Sequence, residues 1–493
     1  MDMRKSLWQE EVSLPSYPPL AGNVETDVAV IGGGIAGILT AHELTRRGVR
    51  CIVIEADRIL HGETAHTTAK ITSQHGLIYD KIIRTRGMEI AKLYAAANEK
   101  AIEDYESLVR DKGIDCDFRR LPAYLYAVQD TTPIRKEVRA AAACGIKAAF
   151  TTKTTLPFAV AGAVRFENQA QFHPLKFLSA LLPPLTIYEN TTFLSVSGHK
   201  VTTDRGTVTA KAVVFATNFP PVNFPGLFFL RMHRERSYVL ALEHAARLDG
   251  MYLGTETGAD YSMRNVGDGD TVLLGGAGHR TGENRSGGNY GKLHDGAHRF
   301  FPTASERFAW SAEDCITLDG VPYIGRFSAS RSNHYVATGF GKWGMTSAMV
   351  AAHLLADLIT GRKNPYTEVF TPQRFSVSSI PSLWNETVHA CGSIGKRIFY
   401  LPAKNAWSIP AGHGGTVRIG GQKVGVYREI MPDGSVKNHR ISVKCPHLGC
   451  ELEWNPEEKT WDCPCHGSRF DPDGVCLTGP AQTNAAKIDL RRR

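Results

Sequence analysis

The 493-residue sequence predicts an α/β nucleotide-binding domain that is discontinuous along the chain, an α+β partner domain built from the intervening segments, and a separate all-β domain at the C-terminal end. Three observations carry this prediction. Residues 27 to 31 form an apolar run that leads through a glycine cluster into a helical pattern and then a second apolar run. A third apolar run with its own glycine turn and helix arrives only near residue 334. Five of the ten cysteines, Cys445, Cys450, Cys463, Cys465 and Cys476, crowd into the last fifty residues. The length exceeds a single core, and roughly 150 residues per domain gives about three units.

Residues 1–23 read as an N-terminal extension. Basic residues run into Trp-Gln-Glu-Glu and a Pro-rich stretch, without the apolar core of a secretory signal or a twin arginine, so a cytoplasmic protein is expected. Asp27 to Ile31 reads as a buried strand, Ile35 to Arg47 as a helix closed by Gly48, and Cys51 to Glu55 as the next strand. Such a β-α-β unit belongs in a parallel sheet covered by helices. The Ala/Glu/Lys/Leu-rich stretch Gly87 to Gly145 reads as helical, and residues 186–216 alternate like strands. His334 to Thr338 leads through Gly-Phe-Gly-Lys-Trp-Gly into a helix over residues 345–360, closed by Gly361. Pro- and Ser-rich composition then predicts a linker over 363–399, and short strands between Gly, Pro and Asp-Gly turns predict an all-β domain over 400–493.

Bulk properties exclude several classes. Hydrophobic residues make up 42% and charged residues 22%, an ordinary globular composition. The longest apolar stretch, Met345 to Ile359, is broken by His353 and Asp357, so no transmembrane segment is expected. The formal charge of +8 is spread along the chain, with Arg491 to Arg493 its one run, and offers little for nucleic acid to bind. Clustered cysteines in a cytosolic chain argue for metal before structural disulfides.

The first constellation is Gly32-Gly33-Gly34-Ile35-Ala36-Gly37, after a strand and opening a helix, with Glu55 eighteen residues beyond Gly37 at the end of the next strand. Glycines permit the tight turn and the approach of backbone to a pyrophosphate, the helix start attracts its charge, and the acid accepts from ribose hydroxyls. A second candidate, Leu274-Gly-Gly-Ala-Gly-His279, runs into no helix, so one nucleotide is expected. Further along come the Thr-rich stretch Thr64 to Thr72, Asn168-Gln-Ala-Gln-Phe-His-Pro174, Ala216-Thr217-Asn218, Asp319-Gly-Val-Pro-Tyr-Ile-Gly325 and Gly339-Phe-Gly-Lys-Trp-Gly-Met-Thr346.

In this order the segments resemble the D-amino-acid oxidase and glycine oxidase superfamily, across residues 24–362. The resemblance implies FAD in a discontinuous Rossmann-like domain over 24–87, 151–224 and 311–362, with a substrate or cap domain over 88–150 and 225–310. It implies FAD contacts from Gly32, Gly33, Gly34, Ile35, Ala36, Gly37, Glu55 and Ala56, from His66 and Thr67, from Thr217, and from Gly339, Gly341, Gly344, Met345 and Thr346 at the isoalloxazine. The helix at 345 would point its positive end at the flavin N1/C2 edge. His66 resembles the histidine bonded covalently to flavin in dimethylglycine dehydrogenase relatives; a pocket histidine that hydrogen-bonds flavin or backbone is the alternative. Asp314 stands where amino-acid oxidases of the superfamily carry an arginine that grips the substrate carboxylate, which points to a cationic amine. Lys342 could assist electrostatically, and no general base is identifiable.

The second constellation pairs Cys445-Pro-His447-Leu-Gly-Cys450 with Cys463-Pro-Cys465-His466-Gly-Ser468. Two Cys/His pairs suit a [2Fe-2S] cluster with one iron on two thiolates and the other on two imidazoles, although a structural zinc site uses the same residue types. Over about ninety residues the region resembles the disulfide-bearing branch of the Rieske family. The resemblance implies Cys445, His447, Cys463 and His466 as ligands, Cys450 and Cys465 as a disulfide, Gly479-Pro480-Ala481 as the covering loop, and Ser468 as a donor to a cluster sulfide. Phe470 replaces the tyrosine donor of high-potential members, so a potential below the top of the Rieske range is expected.

Together the two units imply a dehydrogenase. A small amine-type substrate reduces FAD, and the Rieske cluster passes electrons singly, through the edges of His447 and His466, to an external one-electron acceptor. Reverse flow from a donor, and an electron-transfer module without a small-molecule substrate, remain the alternatives.

Overall fold

The computed structural model describes residues 5–374 and 408–488. Its first sheet has the chain order Thr186–Tyr188, Cys51–Ile54, Gly22–Ile31, Gly206–Phe215, Arg331–Thr338, Tyr323–Ser328, extended by Lys200–Thr203 and Phe193–Ser197. The five strands from Thr186–Tyr188 to Arg331–Thr338 run parallel. Gly22–Ile31 lies between its sequence neighbour and a strand 180 residues later, so the order reverses beside it, and that reversal opens the crevice in which this class of sheet binds ligands. Along the strand Val28 and Val30 enter one core while Ala29 and Ile31 enter the other, the period-2 pattern of a strand buried on both faces. Helix Ile35–Arg46 packs on helix Gly344–Ile359 over one face.

A second, mixed sheet runs Ser305–Thr317, Met232–Glu243, Val272–Arg280, Ser262–Asn265, Met251–Gly254, Arg119–Ala127, Gly162–Gln171, Lys70–Ile71, with Ala148–Thr151 paired to Gly162–Gln171. It corrects two expectations. The stretch 87–145 contains helices Met88–Lys112 and Thr132–Ala143 but also the strand Arg119–Ala127, whose Tyr-Leu-Tyr centre packs better on a pleated surface than in a helix. Segments 151–171 and 311–317, assigned by sequence to the nucleotide domain, pair largely in the second sheet. Strand period alone does not say which sheet a strand joins.

The N-terminal extension is seated rather than loose. Trp8 is 1% exposed and its indole donates to the Thr67 carbonyl at 2.7 Å. The expected linker lies mostly outside the described residues. From residue 408 the chain forms a three-stranded antiparallel sheet, Gly414–Ile419, Gln422–Ile430 and Val436–Ser442, and a four-stranded one, Glu453–Asn455, Thr460–Asp462, Arg469–Phe470 and Cys476–Thr478. Glu457 from this region accepts from the Tyr290 amide (2.9 Å) and from the side chains of Asn284 (2.8 Å) and Asn289 (3.1 Å), capping helix Asn289–Phe300 across the domain boundary.

Candidate functional site: a nucleotide cavity joined to a cysteine-histidine centre

A cavity of about 800 Å³ opens at the reversal point of the first sheet and extends under the second. Gly32, at φ 107°, ends the first strand so close to its neighbour that a Cβ would stand 2.5 Å from the Ala216 carbonyl oxygen. A Cβ on Gly37 would meet the Gly32 carbonyl oxygen at 1.9 Å, so the helix start touches the strand end only because both positions lack side chains. Glu55 accepts from the Gly33 amide at 2.7 Å, and burial raises its carboxyl above the ordinary value.

Of the sixteen positions expected to contact FAD, Gly32, Gly34, Ile35, Ala36, Glu55, Ala56, His66, Thr67, Thr217, Gly341, Gly344 and Met345 line this cavity. Gly33, Gly37, Gly339 and Thr346 sit behind it. The Thr346 hydroxyl donates to the Thr72 carbonyl at 3.0 Å, and a Cβ on Gly339 would collide with Thr317 Cγ2 at 2.3 Å. His66 Nδ1 lies 2.9 Å from the Gly62 carbonyl and carries the proton of that bond. The glycine cradle, the acid at the neighbouring strand end and the cavity volume fit a dinucleotide.

The cavity also holds titratable groups, of which sequence reasoning singled out Asp314 and Lys342 but missed Lys70. Lys70 lies in the Thr-rich segment; in the fold it is enclosed, its ammonium donating to the Tyr252 carbonyl (2.8 Å) and Ser262 Oγ (2.7 Å). Burial lowers its pKa to about 7, with Arg264 adding repulsion. Asp314 faces the same cavity from strand Ser305–Thr317, opposite Glu235, and burial raises it to about 8. Lys342 pairs with Glu235 at 3.3 Å. Behind them Arg234 donates to Glu313 at 2.7 Å, both almost fully buried.

The C-terminal centre rests on two loops of matching geometry. In each, the first cysteine's carbonyl accepts from the amide four residues on, Gly449 to Cys445 and Gly467 to Cys463, both at 2.9 Å. Each cysteine's own amide donates to the residue five on, Cys445 to Cys450 and Cys463 to Ser468. Gly449 and Gly467 have φ of 80° and 79°, the left-handed region glycine enters without strain. The spacing Cys-Pro-x-x-Gly is therefore the loop itself, repeated. A disulfide between Cys450 and Cys465 clamps the loops together.

Cys445, Cys463 and His466 are buried, and the rings of His447 and His466 stand 4.9 Å apart at 90°. Cys445 and Cys463 share a hydrogen bond that holds the first thiol below its ordinary value and pushes the second above it. His447 Nδ1 is buried without a hydrogen-bond partner, while its Nε2 bonds Asn223 Oδ1 at 2.9 Å. Cys463 Sγ also lies within 4.8 Å of both disulfide sulfurs, but those are spent on each other, and the other donor side chains of the two loops are the Cys445 thiol and the two imidazoles. That set, with an unpartnered inner nitrogen, fits a [2Fe-2S] cluster of mixed ligation. Ser468 Oγ accepts from the Ala481 amide at 3.0 Å and also bonds Cys445, and Phe470 is fully buried in the same core.

The cavity wall includes residues Cys476 to Ala481 of the C-terminal region, so the two sites adjoin. One expectation is corrected here. The histidine edges face the protein's own residues more than solvent: His466 is 4% exposed, both rings stand edge-on to Phe229 at 5.7 and 6.2 Å, and His447, half-buried, is tied to Asn223. No described helix is long and apolar enough to cross a membrane.

Comparison with known proteins agrees with both halves. Residues 27–358 match the FAD dependent oxidoreductase family (DAO), and residues 400–489 match the Rieske [2Fe-2S] domain. The chain is 38% identical, over 99% of its length and 98% of the relative's, to YhfW of Bacillus subtilis (strain 168), described as a Rieske 2Fe-2S iron-sulfur protein. It is 46% identical over 55 residues, 11% of this chain and 31% of the relative, to the cytochrome b6-f complex iron-sulfur subunit 1 of Synechocystis. Glycine oxidase from Geobacillus kaustophilus superposes on 71% of this chain and 99% of its own, with a TM-score of 0.60 and 20% identity.

Proposed function

The chain belongs to the FAD dependent oxidoreductase family and carries a C-terminal Rieske [2Fe-2S] domain, and from that premise we propose that it is a dehydrogenase that oxidises a small amine and delivers the electrons singly to an external acceptor. The observation that carries this reading is the shared wall: one cavity is bounded by the nucleotide cradle, by the titratable groups of the second sheet, and by the loop that covers the cysteine-histidine centre.

The family implies FAD, held by the cradle of Gly32, Gly34 and Glu55 and flanked by His66 and Met345, and the Rieske domain implies a [2Fe-2S] cluster, held by Cys445, Cys463, His447 and His466. FAD accepts two electrons as a hydride and the cluster carries one at a time. The protein's own groups prepare the substrate. An ammonium has no lone pair to share as hydride leaves its carbon, so the amine must enter or become neutral. Lys70, balanced near pH 7, accepts that proton at Nζ, and Asp314, held largely protonated by its surroundings, accepts or donates a hydrogen bond without confining a fixed charge beside the reacting carbon. The carboxyl of Asp314 in place of an arginine favours amines without a carboxylate to grip.

Anaerobic addition of candidate amines tests the reading. Substrate-dependent bleaching of the flavin followed by the EPR signal of a reduced Rieske cluster is expected. Rapid, stoichiometric peroxide with no cluster reduction would overturn it.

A further inference from the structure

Every loop that builds or covers the cysteine-histidine centre touches one short stretch of the oxidoreductase part, residues 219–234. Asn223 Oδ1 lies 2.9 Å from His447 Nε2, and Phe229 meets the edges of both histidine rings. The carbonyl of Pro221 accepts from Gln482 of the covering loop at 2.6 Å. Arg234, stacked on Phe219 and anchored to Glu313, donates to the Gly467 carbonyl at 3.3 Å. A Cβ on Gly467 would stand 2.4 Å from Arg234 Cδ, so the second ligand loop is pressed against the arginine as closely as glycine allows.

The chemistry of the Asn223 contact has a direction. A ligand imidazole that turns Nδ1 inwards carries its proton on Nε2, so Nε2–H donates and the Asn223 carboxamide oxygen accepts. A hydrogen bond accepted from the outer nitrogen of a metal-bound imidazole leaves more electron density on the ring and strengthens it as a donor. A stronger donor favours the ferric state and lowers the reduction potential.

We propose that Asn223 is a positioning residue that seats the cluster-bearing tip on the flavin-binding part through His447 and sets the cluster's reduction potential from outside the Rieske domain. The histidine edge is then an internal port, facing this chain's own flavoprotein half, and an external acceptor reaches the centre from another side. The inference rests on the reading of His447 as a cluster ligand.

The test is an EPR-monitored redox titration of the full-length holoprotein and two variants. Asn223→Leu removes the acceptor and is expected to raise the potential. Asn223→Asp, nearly isosteric, replaces it with a stronger acceptor and is expected to lower it. Opposite shifts support the seat, because simple loosening of the interface moves both variants the same way. Unchanged potentials, or shifts of one sign, overturn it. If the leucine variant fails to fold, the aspartate variant decides alone: a lowered potential supports the contact and an unchanged one overturns it. Absence of any Rieske signal in the unaltered protein would instead sink the ligand assignment, and the inference with it.

Discussion

Burial, with repulsion from Arg264 added, lowers the Lys70 pKa to about 7, and among the described residues the contacts that offset this are a backbone carbonyl and a hydroxyl rather than a carboxylate. A base that must be neutral to act works above its pKa. The rate of flavin reduction should therefore rise through about pH 7, and Lys70→Met should abolish that limb and slow reduction by roughly 10²- to 10⁴-fold, the range of a lost general base, in anaerobic stopped-flow measurements across pH. Phe470 gives a second residue-scale prediction. If it stands where a tyrosine donor would reach a cluster-bound sulfur, Phe470→Tyr should raise the potential by ~40 mV, the one-electron equivalent of a hydrogen bond worth about 1 kcal/mol. Redox titration reads it directly. Phenylalanine at 470 was legible from the motif. The weakened basicity of Lys70 was not, because it depends on burial under elements far along the chain and on Arg264, nearly two hundred residues away in sequence.

Between elements, the decisive contacts are few. A methyl group on Gly37 has no room against the Gly32 carbonyl, so Gly37→Ala should force the helix start off the strand end and abolish FAD retention, read as the flavin-to-protein absorbance ratio. His353 on helix Gly344–Ile359 lies 3.2 Å from Asp104 on helix Met88–Lys112 and 3.6 Å from Glu43 on helix Ile35–Arg46, joining three helices by one imidazole. Its two carboxylates overcome burial and raise its pKa from 6.5 to about 9. A raised folded-state pKa means that the stabilisation is complete below about pH 6.5 and lost as pH climbs through about 9. His353→Gln should accordingly lower the melting temperature at pH 6 and make progressively less difference above pH 9. The β-α-β unit and the helix at 345 were readable from period and glycine punctuation. The strand Arg119–Ala127 was not, because its pairing partners Met251–Gly254 and Gly162–Gln171 supply the hydrogen bonds that turn an ambiguous run into a strand.

Among the described residues, the contacts that hold the Rieske region to the oxidoreductase include the seat at residues 219–234, the Arg285–Glu453 ion pair and the cap that Glu457 places on helix Asn289–Phe300. Glu457→Ala should speed hydrogen exchange of the first-turn amides of that helix roughly fivefold, the equivalent of a lost cap of about 1 kcal/mol, while amides in its last turn keep their wild-type rates. Sequence alone was enough for the identity of the two units, since the glycine turn and the paired Cys-Pro-x-x-Gly loops are local: the residues that make them are the residues whose backbone they shape. Three things were decided only by the tertiary structure. They are the membership of strands in one sheet or the other, the titration of buried cavity groups, and the direction in which the two histidines face. Each depends on what packs opposite a residue, and burial, repulsion and a hydrogen-bond acceptor supplied from far along the chain leave no trace in the local pattern.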